Sequence, residues 1–420
     1  MAAPQAKAGL RHSTRLKIRL YLAGFIASNQ PPPRVPIFPL IHGTGEWQHS
    51  STDHEAAMKR RTFTNSLLAL TAAPLLARPT SAFAATEPSG PPLMGGSITD
   101  VPGIKIGHHT LTRRPTGCTV ILCEDGAVGG VDVRGSAPGT RETDLLDPTN
   151  AVQQVQAILL SGGSAYGLEA ATGVMRYLEE RKLGFKLRSG VVPIVPAAIL
   201  FDLGVGDFTI RPDAEAGYQA CLAAASGPVV EGNVGAGAGA TVGKMFGPAF
   251  AMKGGLGTAS HRVPGTDVVV GAIVAVNAVG DIHHPDTRQI LAGARREEGQ
   301  GFRDTMAAIM GGYRVVTSAG SNTTIGAVAT NVPFSKAEMS KIAQMAHDGF
   351  ARSINPVHTM SDGDTIFAMS TGKASAVRAD VSAIGAIAAT VMAQAVARAV
   401  IQAESLMEHQ LPAHRDYVKG

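Results

Sequence analysis

The chain has 420 residues, of which 45% are hydrophobic and 17% charged, a balance that supplies a large core and excludes global disorder. The net charge is +4, and much of the basic excess lies within the first 61 residues (Arg11, Arg15, Lys17, Arg19, Arg34, Lys59, Arg60, Arg61). That distribution fits a presequence better than a nucleic-acid surface, and the chain has neither an aromatic-plus-basic platform nor zinc-finger spacing.

Residues 1–57, with "PPPRVP", show few apolar periodicities. From Met58 the stretch "MKRRTFTNSLLALTAAPLLARPTSAFA" has the layout of a secretory signal, 58–84. Arg60 and Arg61 lead, an apolar run follows from about Leu67 to Ala77, and Ala82-Phe83-Ala84 is an A-x-A cleavage site. The paired arginines favour the twin-arginine route and a periplasmic or secreted destination. The apolar run is too short to span a bilayer. A signal works near a start, so Met58 is expected to be the initiator and 1–57 an over-extended frame. Residues 85–96 read as a linker and 97–410 as one domain.

Within that domain, "SITDVPGIKIGHHT", "TGCTVILCED" and "GAVGGVDVRG" read as short strands, rich in β-branched residues and glycine. Cys118 and Cys123 are five apart and fall on opposite faces of a strand; with Cys221 they make three thiols, no disulfide framework, and are expected buried and free. "NAVQQVQAILL" (150–160) is expected to be a helix. A second helix opens after Gly162-Gly163, with Leu168, Ala171, Met175 and Leu178 on one face, and a third covers 214–226. Strands return at 267–282 and 323–330. Ser335 and Glu338 form a capping box, followed by the stripe Met339, Ile342, Ala346 and Phe350. The last helix, about 380–406, carries a polar stripe of Thr390, Gln394, Arg398 and Gln402, and is expected to pack on the protein rather than in a membrane. Strand and helix blocks without strict βαβ order predict a layered α+β fold.

The glycine run "NVGAGAGATVGK" (233–244) fails as a phosphate loop, because Ala238 and Met245 stand where Gly and Ser/Thr are needed. It ends in Lys244, either a solvated loop lysine or a functional cation. Ser164 in "GGSAYG" is off the nucleophile-elbow spacing and is expected to cap a helix. In "HTMSDGDTIF", Asp362 and Asp364 flank a glycine; such a pair binds metal, orients an amine or caps a turn. The histidine pairs His108-His109 and His283-His284 lack any metal-ligand spacing, so no metal or cofactor is assigned. Asn322-Thr323-Thr324 is either a polar turn before a strand or a cut site. A freed N-terminal threonine would carry its own base, an α-amine with pKa near ~8.

Together "VRGSAPGTRETDLL", "LSGGSAYGLEAATGVM", "VPIVPAAILFDLGVG", "GNVGAGAGATVGK", "VAVNAVGD", "NTTIGAVATN", "AHDGFARSINPVHT" and "DGDTIFA" make most of 96–372 resemble the DmpA-like self-cleaving aminopeptidases and amidases. The threonine and the Asp-Gly-Asp pair make it most similar to the nylon-oligomer (6-aminohexanoate oligomer) hydrolase branch. The resemblance implies a four-layer αββα sandwich, like N-terminal nucleophile hydrolases in architecture but not connectivity. It implies cleavage between Asn322 and Thr323 into α (about 85–322) and β (323–420) pieces. Thr323 would be the nucleophile and its amine the base. Asn277 would be the oxyanion donor, Lys244 a group beside the nucleophile, and Asp362 and Asp364 the holders of the amine. Some relatives place a tyrosine where this chain has Phe201. Self-association as αβ pairs, usually four, is also implied.

The expected function is hydrolysis of short peptides or peptide-like amides bearing a free amine. Two rivals stand beside it: an acyltransferase of the ornithine acetyltransferase type, and an uncleaved, non-enzymatic binding protein.

Overall fold

The computed structural model describes residues 92–298, 300–314, 320–375 and 379–417. The expected presequence 1–57, the signal at 58–84 and the linker up to residue 91 lie outside them, as do residues 315–319 of the run leading to Asn322.

One nine-stranded sheet organises the domain. Its strands are β1 (Lys105–Thr110), β2 (Gly117–Val133), β3 (Thr140–Arg141), β4 (Gln154–Ser161), β5 (Ala197–Ile199), β6 (Gly255–Arg262), β7 (Val269–Asn277), β8 (Thr323–Thr330) and β9 (Thr365–Ser370). They run in the order β6-β7-β8-β9-β2-β4-β5-β3, and β1 also pairs with β2. The hinge of the sheet is β2. Its first half pairs with β1 and β4, its second half with β9, and its register with β4 shifts between Leu122 and Ala127. Gly126, at φ 87°, lies in that shift, where a left-handed backbone suits glycine.

Side-chain alternation then sorts the chain into three apolar cores. On β7, β8 and β9, Ala272, Val274, Val276, Val328, Ile366 and Ala368 face α3 (Lys336–Ser353) and α4 (Val381–Ile401). Their alternates Ile273, Ala275, Ile325, Ala327, Phe367 and Met369 face Ile121, Ile158, Leu160 and Ala198 of the other half. The outward residues there, Val120, Leu122, Ala157 and Leu159, meet α1 (Ala170–Glu180) and α2 (Ala214–Leu222). Helix, sheet, sheet and helix are therefore stacked in four layers, each sheet half buried on both faces.

Most expected elements fall in place. Strand β8 covers 323–330, the Ser335–Glu338 capping box opens α3, and Cys118 and Cys123 face different cores as free buried thiols. Such a cap contributes about 1 kcal/mol. Helix α4 ends at Ile401; Gln394 and Arg398 of its polar stripe bind Met94 and Glu231. The helix expected at 150–160 is instead strand β4. It is buried on both faces, so its apolar run carries no alternation to tell it from a buried helix. Ser164 opens a 3-10 turn with Gly163 in the cap position, so the serine is not the cap.

Helices α1 and α2 cross with their backbones almost touching. A Cβ on Gly173 would lie 1.6 Å from the Ala214 oxygen, and one on Gly217 would lie 1.9 Å from that of Ala170. Gly173→Ala should therefore force the pair apart and cost about 1–3 kcal/mol, read as a lower denaturation midpoint. A variant as stable as the parent would mean that this crossing is not close-packed.

Candidate active site

Strand pairing fixes the site before any side chain acts. In the antiparallel pairing of β7 and β8, Asn277 lies opposite Thr323. On the other side of β8 the chain pairs in parallel with the segment leading into β9, Asn322 beside Asp362. Thus Asn277, Thr323 and the Asp362–Asp364 segment come to one end of three adjacent strands. Four of the sequence-expected residues meet there through the backbone, and Lys244 joins them through its side chain.

The Asn322–Thr323 bond is closed to solvent, with Asn322 1% and Thr323 2% exposed. The Thr323 hydroxyl donates to the carbonyl oxygen of Asn322, the group a self-cleaving threonine has to attack. The backbone N–H of Gly363 donates to the same oxygen at 3.1 Å. A Cβ at Gly363 would stand 2.9 Å from Thr323 Oγ1 and 2.6 Å from the Ala137 oxygen, so this approach requires glycine. The amide nitrogen of Asn322 donates to the hydroxyls of Ser321 (3.1 Å) and Ser361 (3.2 Å).

Asn277 is held in one orientation by its partners. Its Oδ1 accepts from Thr241 N (3.0 Å), Thr241 Oγ1 (3.3 Å) and Lys244 Nζ (3.0 Å). Its Nδ2 donates to the Phe201 oxygen at 2.9 Å. A backbone N–H only donates and a carbonyl only accepts, so the two ends of the amide cannot be exchanged. Lys244 also donates to the carbonyls of Asn277 (3.0 Å) and Ser321 (3.3 Å). Its stem borders a cavity, but its ammonium is turned inward, and burial pushes it down to about 7 against the pull of Asp362, Asp364 and Asp202. It is therefore not a solvated loop lysine.

The two carboxylates are held differently. Asp364 Oδ1 accepts from the Thr324 N–H at 2.7 Å, which ties it to β8. Asp362 Oδ2 accepts from Thr359 N (2.9 Å) and Thr359 Oγ1 (2.5 Å). Burial, with the Asp364 charge beside it, pushes Asp362 up to about 6. Among the described residues no group of three His, Cys, Asp or Glu is arranged to hold a metal ion.

A cavity of about 380 Å³ adjoins these residues. Thr241, Lys244, Ser321 and Asn322 form its inner wall, and Phe201, Val205, Pro248, Ala251 and Leu411 give it an apolar lining. Asp202 also borders it. That carboxylate is taken up by Arg114 (2.5 Å), Thr116 (2.5 Å) and Gly163 N (2.9 Å).

Sequence reading missed the Gly363 N–H, Thr241 and Ser361. Gly363 was visible only as the spacer of Asp-Gly-Asp. The contribution of Thr241 depends on a distant strand pairing that no local pattern reveals.

Comparison with known proteins bears on the family and the fold. Residues 96–411 match the family described as peptidase family S58. An uncharacterised aminopeptidase of Mycobacterium leprae is 45% identical over 339 residues, 74% of this chain and 91% of the relative. A 6-aminohexanoate-oligomer endohydrolase of an Agromyces species is 34% identical over 315 residues, 71% of this chain and 84% of the relative. Two solved structures share the fold. One is a Burkholderia β-aminopeptidase (TM-score 0.54, 22% identity, covering 75% of this chain and 89% of the other). The other is the L-aminopeptidase D-Ala-esterase/amidase of Ochrobactrum anthropi, described as a variant of the Ntn hydrolase fold (TM-score 0.54, 20% identity, covering 74% and 88%). On the extent of the family match and of these relatives, the chain belongs to peptidase family S58 and is a hydrolase of the aminopeptidase and amidase type.

Proposed function

We propose that this hydrolase cuts its own chain between Asn322 and Thr323 and then uses Thr323 as an N-terminal nucleophile on amide substrates. The observation that carries the reading is the Thr323 hydroxyl on the Asn322 carbonyl, with the Gly363 N–H on that same oxygen. In the first step Thr323 Oγ1 attacks the Asn322 carbonyl carbon. The negative charge that develops on its oxygen is met by the Gly363 donor. The hydroxyl proton passes through Lys244, in its neutral form, to the departing Thr323 nitrogen. Collapse breaks the C–N bond and leaves an ester; water then splits the ester into the Asn322 carboxylate and the free threonine. The Asn322 amide is engaged by two hydroxyls, which disfavours a rival cut through attack of that amide on its own carbonyl.

In the cut enzyme the Thr323 amine is the base for its own hydroxyl, and Asp362 and Asp364 hold that amine. The second hydrogen of Asn277 Nδ2 serves the substrate oxyanion. The apolar cavity wall suits an aliphatic acyl portion, in keeping with short peptides or peptide-like amides; Phe201 supplies no hydroxyl there. The reading also keeps export through the segment 58–84 and assembly as αβ pairs, in a tetramer, as parts of the proposal.

Denaturing electrophoresis with intact-mass measurement of the purified protein should show two fragments, the smaller beginning at Thr323. A persistent single chain removes the mechanism. Thr323→Ala should remain whole and lose at least about 1,000-fold in amidase activity; hydrolysis by that variant at the parental rate removes Thr323 as nucleophile. Product analysis with and without an added amine acceptor separates hydrolysis from acyl transfer.

The self-cleavage rate should rise as pH passes through about 7, because the neutral form of Lys244 becomes populated there. Lys244→Arg, a permanent cation, should stay largely uncut across that range. A flat profile, or rapid cutting of the arginine variant, rules out the lysine as proton carrier.

A further inference from the structure

Asp364 holds the nucleophile strand, yet one of its two oxygens depends wholly on a neighbour. Asp364 is 1% exposed. Its Oδ1 accepts from Thr324 N. Its Oδ2 accepts twice from His358, from the backbone N–H at 3.1 Å and from Nδ1 at 2.8 Å. His358 has φ 57°, a left-handed conformation uncommon outside glycine and better tolerated by Asn, Asp and His. That conformation accompanies the placement of both donors on one oxygen.

The other ring nitrogen has no partner. His358 Nε2 is buried without a hydrogen-bond partner. The His347 ring stands edge-on to it, centroids 4.8 Å apart at 69°, with Phe350 at 6.2 Å. His347 Nε2 lies 3.0 Å from the Asp132 carbonyl oxygen, which can only accept, so this nitrogen carries the hydrogen. His347 Nδ1 is likewise buried and unpartnered. A hydrogen on His358 Nε2 would point where no acceptor waits.

We infer that His358, carrying a hydrogen on Nδ1, is a positioning residue of this site: it clamps Asp364 so that the carboxylate fixes the Thr324 backbone and keeps Thr323 in register with Asn277. The inference rests on Thr323 being the nucleophile. His358 touches neither the scissile bond nor the cavity wall, and it acts through Asp364 alone.

Two substitutions separate the ring's donor from the unusual backbone. His358→Asn keeps a donor near Nδ1 and tolerates the left-handed conformation. His358→Gly relaxes the backbone and keeps the backbone N–H but has no side-chain donor. Followed as fragment appearance after cell-free synthesis, the asparagine variant should process at close to the parental rate, and the glycine variant about 100-fold slower. A glycine variant at least as fast as the asparagine variant overturns the inference. Circular dichroism shows whether both fold. If either does not, nitrogen-15 spectra of the histidine-labelled parent decide: a ring at His358 with a hydrogen on Nδ1 supports the clamp, and a ring with its one hydrogen on Nε2 overturns it. A parent chain that never cuts sinks the nucleophile reading instead, and the ring's tautomer then still decides whether the clamp exists.

Discussion

Everything at this site depends on the pairing of β8 between two unlike neighbours. The antiparallel partner β7 sets Asn277 against Thr323, and the parallel partner, through the Asn322–Asp362 bridge, brings Gly363 onto the Asn322 carbonyl. A slip of one residue would turn every side chain on β8 to the opposite face. That slip is opposed by the cores on both sides, since Val328 belongs to one and Ile325, Ala327 and Ala329 to the other. Burial of ordinary aliphatic residues far along the strand thus holds Thr323 in register with Asn277.

The same burial shapes the charges. Lys244 and Asp362 are both shifted toward their neutral forms, and desolvation is the main cause in each. The mutual attraction of lysine and aspartates works against those shifts but does not cancel them. Both groups therefore exchange protons near neutrality, where an exposed lysine and an exposed aspartate would be fixed in charge. Asp202 is a useful contrast. It borders the same cavity, yet Arg114, Thr116 and the Gly163 N–H engage its oxygens, so it serves as a strut for the loop.

Much of this was legible in the sequence, for identifiable reasons. Strand β8 and the α3 cap carry strong local signals, because a β-branched run and an S-x-x-E box act within a few residues. Thr323, Lys244, Asn277, Asp362 and Asp364 were recognisable as a set only through family resemblance, since each alone has an ordinary explanation. Strand β4 was misread because burial on both faces erases alternation. The Gly363 N–H left no trace because a backbone donor has no residue type. His358 stood in plain view beside the Asp-Gly-Asp pair, but its contact with Asp364 depends on a positive φ, which residue type alone does not specify.

The arrangement also bears on why a cut would be needed at all. Ser321 and Asn322 border the cavity, and Thr323 does not. In the uncut chain the residues before the threonine therefore stand between Thr323 and that space. Their hold is local: Ser361 takes the Asn322 amide, Gly363 its carbonyl, and Lys244 the Ser321 carbonyl. On the proposed reading, breaking the bond frees the new carboxyl end from the strand, opens Thr323 to the cavity and creates its amine in one event. The Gly363 donor loses its original carbonyl at that moment, and Lys244 loses one of its three acceptors. Self-cleavage would then be part of building the site as well as a means of exposing it.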